Sequence, residues 1–155
     1  MKWVKKKLDD KVIEGVTFCF YKEGKILLED RGRGFNNEAV IPSGKIEFKD
    51  TINKRFSYTV NALYREVAEE FDNKIIITNK IYAGKLFVPQ VNVLFHIFII
   101  TNWEGEFPNI IKETNKDDSK IEFFDIKEAK SLFKYESKFE MLEIILKALT
   151  KYEKY

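Results

Sequence analysis

Arg65-Glu66-Val67-Ala68-Glu69-Glu70 is the stretch on which the rest of this chain turns. At about 100° per residue, Glu66, Glu69 and Glu70 fall within an arc of roughly 100° on a helix surface. Around them, Phe56, Val60, Leu63, Val67 and Phe71 recur at spacings of four, three, four and four, which lines one helix face. The spacing predicts a helix over about 56–71. Its apolar stripe packs on a core, and the three carboxylates gather beside that stripe with Glu70 at the border. Like charges at these spacings cost a helix roughly 0.2–0.5 kcal/mol per pair. A divalent cation removes that repulsion, and hard oxygen donors with retained waters are what Mg²⁺ selects. A solvated acidic face is the competing account of the hexapeptide taken alone, in a chain with 27 Lys and Arg against 25 Asp and Glu.

Upstream, Ile41-Pro42-Ser43-Gly44-Lys45-Ile46-Glu47 reads as the end of a short strand (39–41), followed by a Ser43-Gly44 turn. Such a Pro-x-Gly bend exposes a backbone carbonyl and brings Lys45 towards a phosphate. Residues 12–21 are rich in Val, Ile, Phe and Thr, and Glu23-Gly24 turns them into Lys25-Ile26-Leu27-Leu28-Glu29, a hairpin. Arg31-Gly32-Arg33-Gly34 is a loop. Residues 75–81 and 91–100 are β-branched and aromatic runs, hence strands, and 121–124 is a shorter one. Helical periodicity returns at Phe139, Leu142, Ile145, Leu146 and Leu149, which predicts a C-terminal helix over about 137–152, with a shorter helix at 127–133. The expected class is therefore α/β (α+β), with helices layered on a mixed sheet.

A length of 155 residues suits one domain spanning 1–155 with a full core. Net charge is only +2, so there is no bulk basic field of the kind a dedicated nucleic-acid binder carries; Lys5-Lys6-Lys7 reads as a solvated tail or strand edge. The single cysteine, Cys19, sits in an apolar run and reads as a small buried hydrophobe. No apolar stretch approaches the roughly 20 residues needed to cross a bilayer, and no signal peptide is evident, so a cytoplasmic setting is expected. One His and one Cys exclude a His/Cys zinc site. His96, mid-strand, reads as a packed residue. Phe35, Tyr82, Phe87 and Trp103 are candidates to stack on a base.

Together these segments resemble the Nudix box: Gly, five residues, Glu, seven residues, then Arg-Glu-apolar-any-Glu-Glu-any-Gly-apolar. Gly44 matches the opening Gly, Asp50 stands where the box has Glu, and Arg65 to Glu70 match its helical half without a gap. The flanks at 24–28 and 121–126 are also similar to the family, so the resemblance spans roughly residues 12 to 134. Fourteen residues separate Asp50 from Arg65 where the box has seven. The extra seven are placed as a loop near Thr51 to Ser57, where added length costs little entropy. Ser43, Lys49 and Asp72 stand where glycines are usual. With Asp72 replacing the closing Gly, Asn73 is the expected left-handed cap.

The resemblance implies an α/β/α sandwich with the catalytic helix at about 56–71. It also implies a Mg²⁺-dependent hydrolase, with Mn²⁺ as a substitute ion, that cuts a phosphoanhydride bond in a nucleoside diphosphate linked to another moiety: a nucleoside triphosphate, an oxidised one, ADP-ribose, a dinucleoside polyphosphate or similar. Glu66, Glu69 and Glu70 would hold the metal with the main-chain carbonyl of Ser43. Asp50 and Arg65 would form a structural ion pair. Glu66, or Glu113, Asp117 or Asp118 from a later loop, would act as general base, and Arg31, Arg33 and Lys45 would face the phosphates. The substrate is then a small nucleotide, with neither nucleic acid nor membrane as partner, and the protein is a monomer or homodimer. Lys85 to Asn92 and the insertion are the segments expected to select the substrate. A non-catalytic nucleotide-sensing or partner-binding module on the same fold is the alternative.

Overall fold

The computed structural model describes residues 12–30, 39–108, 110–111 and 119–153. Its centre is β1 (Ile13–Lys22), buried from Glu14 to Phe20. Glu23 and Gly24 both take positive φ, 52° and 78°, the tight-turn geometry that reverses the chain into β2 (Lys25–Asp30). After that turn the two strands part: only Tyr21 and Lys22 pair with Ile26 and Lys25. The next segment bridges the fork. β3 (Ala39–Val40) pairs with β2, and β4 (Ser43–Lys45) pairs with β1 at Thr17, Val16 and Gly15. Pro42 lies at the crossing, where a residue without N–H interrupts the ladder, and its carbonyl accepts from the Phe18 N–H at 3.0 Å.

Two helices follow, α1 (Phe48–Ile52) and α2 (Tyr58–Glu70), then the long antiparallel pair β5 (Ile76–Val88) and β6 (Val93–Glu104). β6 runs parallel to β1 from Ile13↔Val93 to Phe20↔Ile100. The chain closes with β7 (Ile110–Ile111), β8 (Ser119–Asp125), α3 (Ile126–Leu132) and α4 (Glu136–Glu153). Among the described residues the strands form one mixed sheet, ordered β5-β6-β1-β2-β8-β7, with β3 and β4 inside the fork.

Side chains alternate across a strand, and here both faces are covered. Val16, Phe18 and Phe20 of β1 pack with Ala62, Leu63, Val67 and Phe71 of the α2 region. Cys19 of β1, with Ile97 and Ile99 of β6, packs with Met141, Leu142, Ile145 and Leu149 of α4. The result is the expected α/β/α sandwich, and burial alone pushes the Cys19 thiol up to about 12. None of the described helices is long and apolar enough to cross a membrane.

Four local expectations need correction. The helix begins at Tyr58 behind an N-cap at Ser57, so Phe56 lies outside it, 44% exposed and set against Tyr64. Ser43-Gly44-Lys45 is a strand rather than a turn, because the open edge of β1 supplies a partner. The segment expected as a loop near 51–57 begins inside a helix, α1. Asp72 as well as Asn73 takes the left-handed conformation, at φ 53° and 58°. The Asn73 N–H donates to the Ala68 carbonyl at 2.8 Å, the long bond of a Schellman ending, so Asp72 stands at the position that favours Gly.

Candidate active site

Arg65 organises the junction of β4, α1 and α2. Its Nε and Nη2 donate to the two carboxylate oxygens of Asp50, each at 2.8 Å. This is the bidentate arrangement that a planar guanidinium favours. Nη2 also donates to the Lys45 carbonyl at 2.9 Å. Nη1 donates to Glu66 Oε1 at 3.0 Å and to Glu69 Oε1 at 3.2 Å, and lies 3.4 Å from Glu47 Oε2. One side chain therefore ties the strand, the short helix and the acidic helix together.

Asp50 is 3% exposed and accepts a third bond from the Glu47 N–H at 2.8 Å, which closes the first turn of α1. Burial pushes its carboxyl up, but the bonds from Arg65 and the Glu47 N–H and the nearby positive charge outweigh that and hold it below the usual range. For Arg65 the bond to Asp50 outweighs the cost of burial and raises its pKa further.

Glu66 is also largely withdrawn from solvent, with a side chain 12% exposed. Its carboxylate lies directly over Gly44: a Cβ there would meet Glu66 Cδ at 2.0 Å and Oε2 at 2.1 Å. A glycine is required here by close approach, not by backbone angle, since Gly44 is not among the positive-φ residues. Burial pushes the Glu66 carboxyl up; Arg65 opposes this, while Glu69 and Glu47 add to it. Glu69 is half exposed and in reach of Lys49, whose Nζ is 3.9 Å from Glu69 Oε2. Glu70 ends α2.

The donor chemistry suits a hard cation such as Mg²⁺, because carboxylates and the peptide carbonyls of β4 are oxygen donors. The arrangement is not preassembled: among the described residues no three acidic side chains stand close enough to share an ion. Arg65 Nη1 lies between Glu66 and Glu69 as the local positive charge. Lys45 is the exposed end of β4 and lines a cavity of about 790 Å³ with Gly15, Ser43, Gly44, Phe95 and Tyr135. Ser43 Oγ hydrogen-bonds Thr17 Oγ1 at 2.8 Å, on the face of β4 opposite the one from which Gly44 meets Glu66. Arg31, Arg33, Phe35, Glu113, Asp117, Asp118 and the Lys5-Lys6-Lys7 run lie outside the described residues. Of the aromatic candidates, Trp103 belongs to the core, stacked on Phe123 at 6.0 Å, whereas Tyr82 and Phe87 are exposed.

The sequence did not announce one buried polar group. Glu14, 2% exposed, accepts from the Tyr58 hydroxyl at 2.9 Å and bonds His96 Nε2, whose Nδ1 meets the Tyr82 hydroxyl at 3.2 Å. Tyr58 opens α2, so this group anchors the acidic helix to β1. A charged residue in phase with Val16 and Phe18 was its one available signal.

The structure is similar to a MutT protein from Bacillus halodurans, at TM-score 0.62 and 20% identity, covering 86% of this chain and 80% of that one. It is equally similar to a MutT Nudix hydrolase from Burkholderia pseudomallei, at TM-score 0.62 and 17% identity, covering 86% and 97%. An ADP compounds hydrolase aligns at TM-score 0.62 and 12% identity, covering 90% and 74%. This chain has the Nudix fold. No protein-family model matches the sequence, and no curated protein matches it, so the likeness is carried by architecture. In this Nudix fold the box-like residues lie on three successive elements: Gly44 on β4, Asp50 on α1, and Arg65 to Glu70 on α2.

Proposed function

We propose that this protein hydrolyses a phosphoanhydride bond in a nucleoside diphosphate linked to another moiety. The observation that carries the proposal is the Glu66 carboxylate, desolvated and set against Gly44 within an arginine-organised group of acids. A desolvated titratable group with a specific charge partner is a mark of a reactive site, and Gly44 beneath it lines the cavity. Glu66, Glu69 and Glu70 would hold Mg²⁺ with the Ser43 carbonyl, and the ion would draw charge from the bridging phosphates and lower the pKa of water. Lys45 faces the phosphates from the cavity wall, joined by Arg31 and Arg33. Arg65 and Asp50 hold β4 and α1 at their spacing from the acidic helix, and Glu66 or Glu113 takes the proton. Water oxygen joins one phosphorus, the bridging oxygen leaves with its electron pair on the other phosphate, and the products are a nucleoside monophosphate and a phosphorylated remainder.

The test is a nucleotide panel with Mg²⁺ and product analysis, run on the parent protein and on Glu69→Gln and Glu70→Gln. Turnover lowered by orders of magnitude in either variant, with unchanged circular dichroism, supports the assignment; full activity in both removes them from the mechanism. The bridging position of Arg65 between Glu66 and Glu69 favours a second reading, a nucleotide-binding module without turnover. Saturable binding with no product from any substrate would establish that reading instead.

A further inference from the structure

The outermost strand, β5, carries a groove of its own. In the sheet order β5 is terminal and hydrogen-bonded to β6 alone among the described strands. One side of its main chain is therefore left to another partner. Across its 13 residues it has Lys80 and Lys85 and no acid. Helix α4 packs against it, and between the two runs a groove of about 570 Å³. The groove is lined by Ile81 to Lys85 without interruption and by Ile144, Lys147, Ala148 and Lys151 of α4. Side chains alternate across a strand, so an unbroken run of lining residues puts the main chain itself in the groove wall. Gly84 lets strand and helix close up, since a Cβ there would meet Ile144 Cγ2 at 3.2 Å.

The groove has an apolar floor and a cationic rim. Ile81, Ala83, Ile144 and Ala148 are partly buried and continuous with the core beneath α4. Lys85, Lys147 and Lys151 are exposed. Among the described residues no acid lines the groove, and none of these three lysines has an acid within ion-pair distance. Main chain in the wall, an apolar floor and uncompensated positive charge together fit an extended peptide that adds to the edge as a strand. Apolar side chains of such a peptide rest on the floor, and its acids meet the lysines. A second copy of β5 is a poor occupant, because edge against edge would bring like charges together. A nucleic acid would meet the lysines but has no peptide groups with which to extend the ladder.

We propose that the groove between β5 and α4 is a docking site for an acidic, extended segment of a partner protein, bound by strand addition to β5. Lysines and the register shift between Tyr82 and Gly84 are devices that keep an edge from pairing indiscriminately. Here they make acceptance depend on the charge of the incoming strand. The proposal is independent of the hydrolase reading, since the groove lies on the α4 side of the sheet and Glu66 lies on the α2 side.

The test is selection of binders to the folded full-length protein from a random peptide library. Selected peptides are then followed by fluorescence anisotropy and hydrogen exchange. The expected binders are rich in Asp and Glu interspersed with Val, Ile or aromatic residues, and they slow amide exchange within residues 81–85. Their affinity should fall at least about tenfold when Lys147→Glu and Lys151→Glu are combined, and should persist when both lysines become arginine. Both positions are exposed, so the two double variants should melt like the parent. A selection that yields no binder, binders without acidic enrichment, affinity indifferent to the charge reversal, or protection confined to other strands overturns the proposal. An oligothymidylate that binds more tightly than any selected peptide would assign the groove to a nucleic acid. A parent dimer that dissociates on charge reversal would assign it to a second copy. Either result would also overturn the proposal.

Discussion

Replacing Gly44 by alanine tests the geometry of the site without testing the fold. The new Cβ would lie 2.0 Å from Glu66 Cδ, 2.1 Å from Oε2 and 2.5 Å from Cγ. Ordinary carbon–carbon separation is about 3.5–4.0 Å, so the carboxyl must retreat by more than about 1 Å. It is the far end of a flexible side chain, and a short rotation of Glu66 relieves the clash. The backbone does not resist either, since the described glycines with positive φ are Gly24, Gly84 and Gly105. Retreat breaks the 3.0 Å bond from Arg65 Nη1 and carries the acid away from β4. A displacement of this size at a reacting centre costs roughly 100-fold in rate, whereas loss of one partly solvated hydrogen bond costs about 1 kcal/mol of stability. The expected phenotype is a folded protein with a small change in Tm and kcat lowered about 100-fold. Initial rates at saturating nucleotide and Mg²⁺, beside a thermal melt, measure both. A Gly44→Ala protein that keeps its kcat would show that the position of Glu66 over β4 does not matter to the reaction.

Asp50→Asn should destabilise the protein by about 1–3 kcal/mol at neutral pH, because Arg65 loses the charged bidentate partner of its Nε and Nη2 while keeping its contacts to Glu66 and Glu69. The folded-state pKa of Asp50 is lowered, so its contribution is complete above the ordinary carboxylate range and disappears as pH falls through the folded value. Urea midpoints of parent and variant should therefore converge in acid, and a gap independent of pH would contradict the assignment. Asn61→Ala strips the donor from three carbonyls; a loss of about 1–3 kcal/mol is expected, with protease cleavage appearing between residues 48 and 57, and an uncut chain would mean the segment is held by other contacts. Asp72→Gly relieves a left-handed residue at φ 53° and should raise stability by about 0.5–1 kcal/mol, read as a higher Tm; a lower Tm would show that the Asp72 side chain makes a contact worth more than the strain.

What the chain spells out locally, it spells out well. The stripe Leu63, Val67, Phe71 is buried as its spacing demands, and the Glu23-Gly24 turn lies where the two apolar runs meet. Failures occur where a distant partner decides. Ser43-Gly44-Lys45 has no β-branched residue, yet it pairs because β2 diverges from β1 and leaves an edge open. Phe56 fits the helical spacing but sits outside the helix, because Ser57 caps α2 and Asn61 holds the Phe56 N–H from below. The Glu14–His96 contact joins residues far apart in sequence through the parallel register of β1 and β6, which neither strand's own pattern contains. At the site, Arg65 and Asp50 are recognisable from spacing, but the position of Arg65 Nη1 between Glu66 and Glu69 follows from how α1 folds back on α2.

That position bears on why Glu66 is kept. A carboxylate 12% exposed, with neighbouring acids and a pKa raised by its burial, is a poor choice for stability at neutral pH. One bond to a shared arginine offsets only part of the desolvation cost. A site chosen for stability would carry a neutral side chain over Gly44. Glutamine has the same length and can accept from Arg65 Nη1 without placing a charge in the cradle. Glu66→Gln is therefore expected to melt no lower than the parent, while kcat falls by orders of magnitude, the pattern of a group retained for chemistry at the expense of stability. Thermal melts and initial rates on the same preparation decide it. If Glu66→Gln unfolds well below the parent, the carboxylate is a structural partner of Arg65, and the catalytic weight placed on it must move to Glu69 and Glu70.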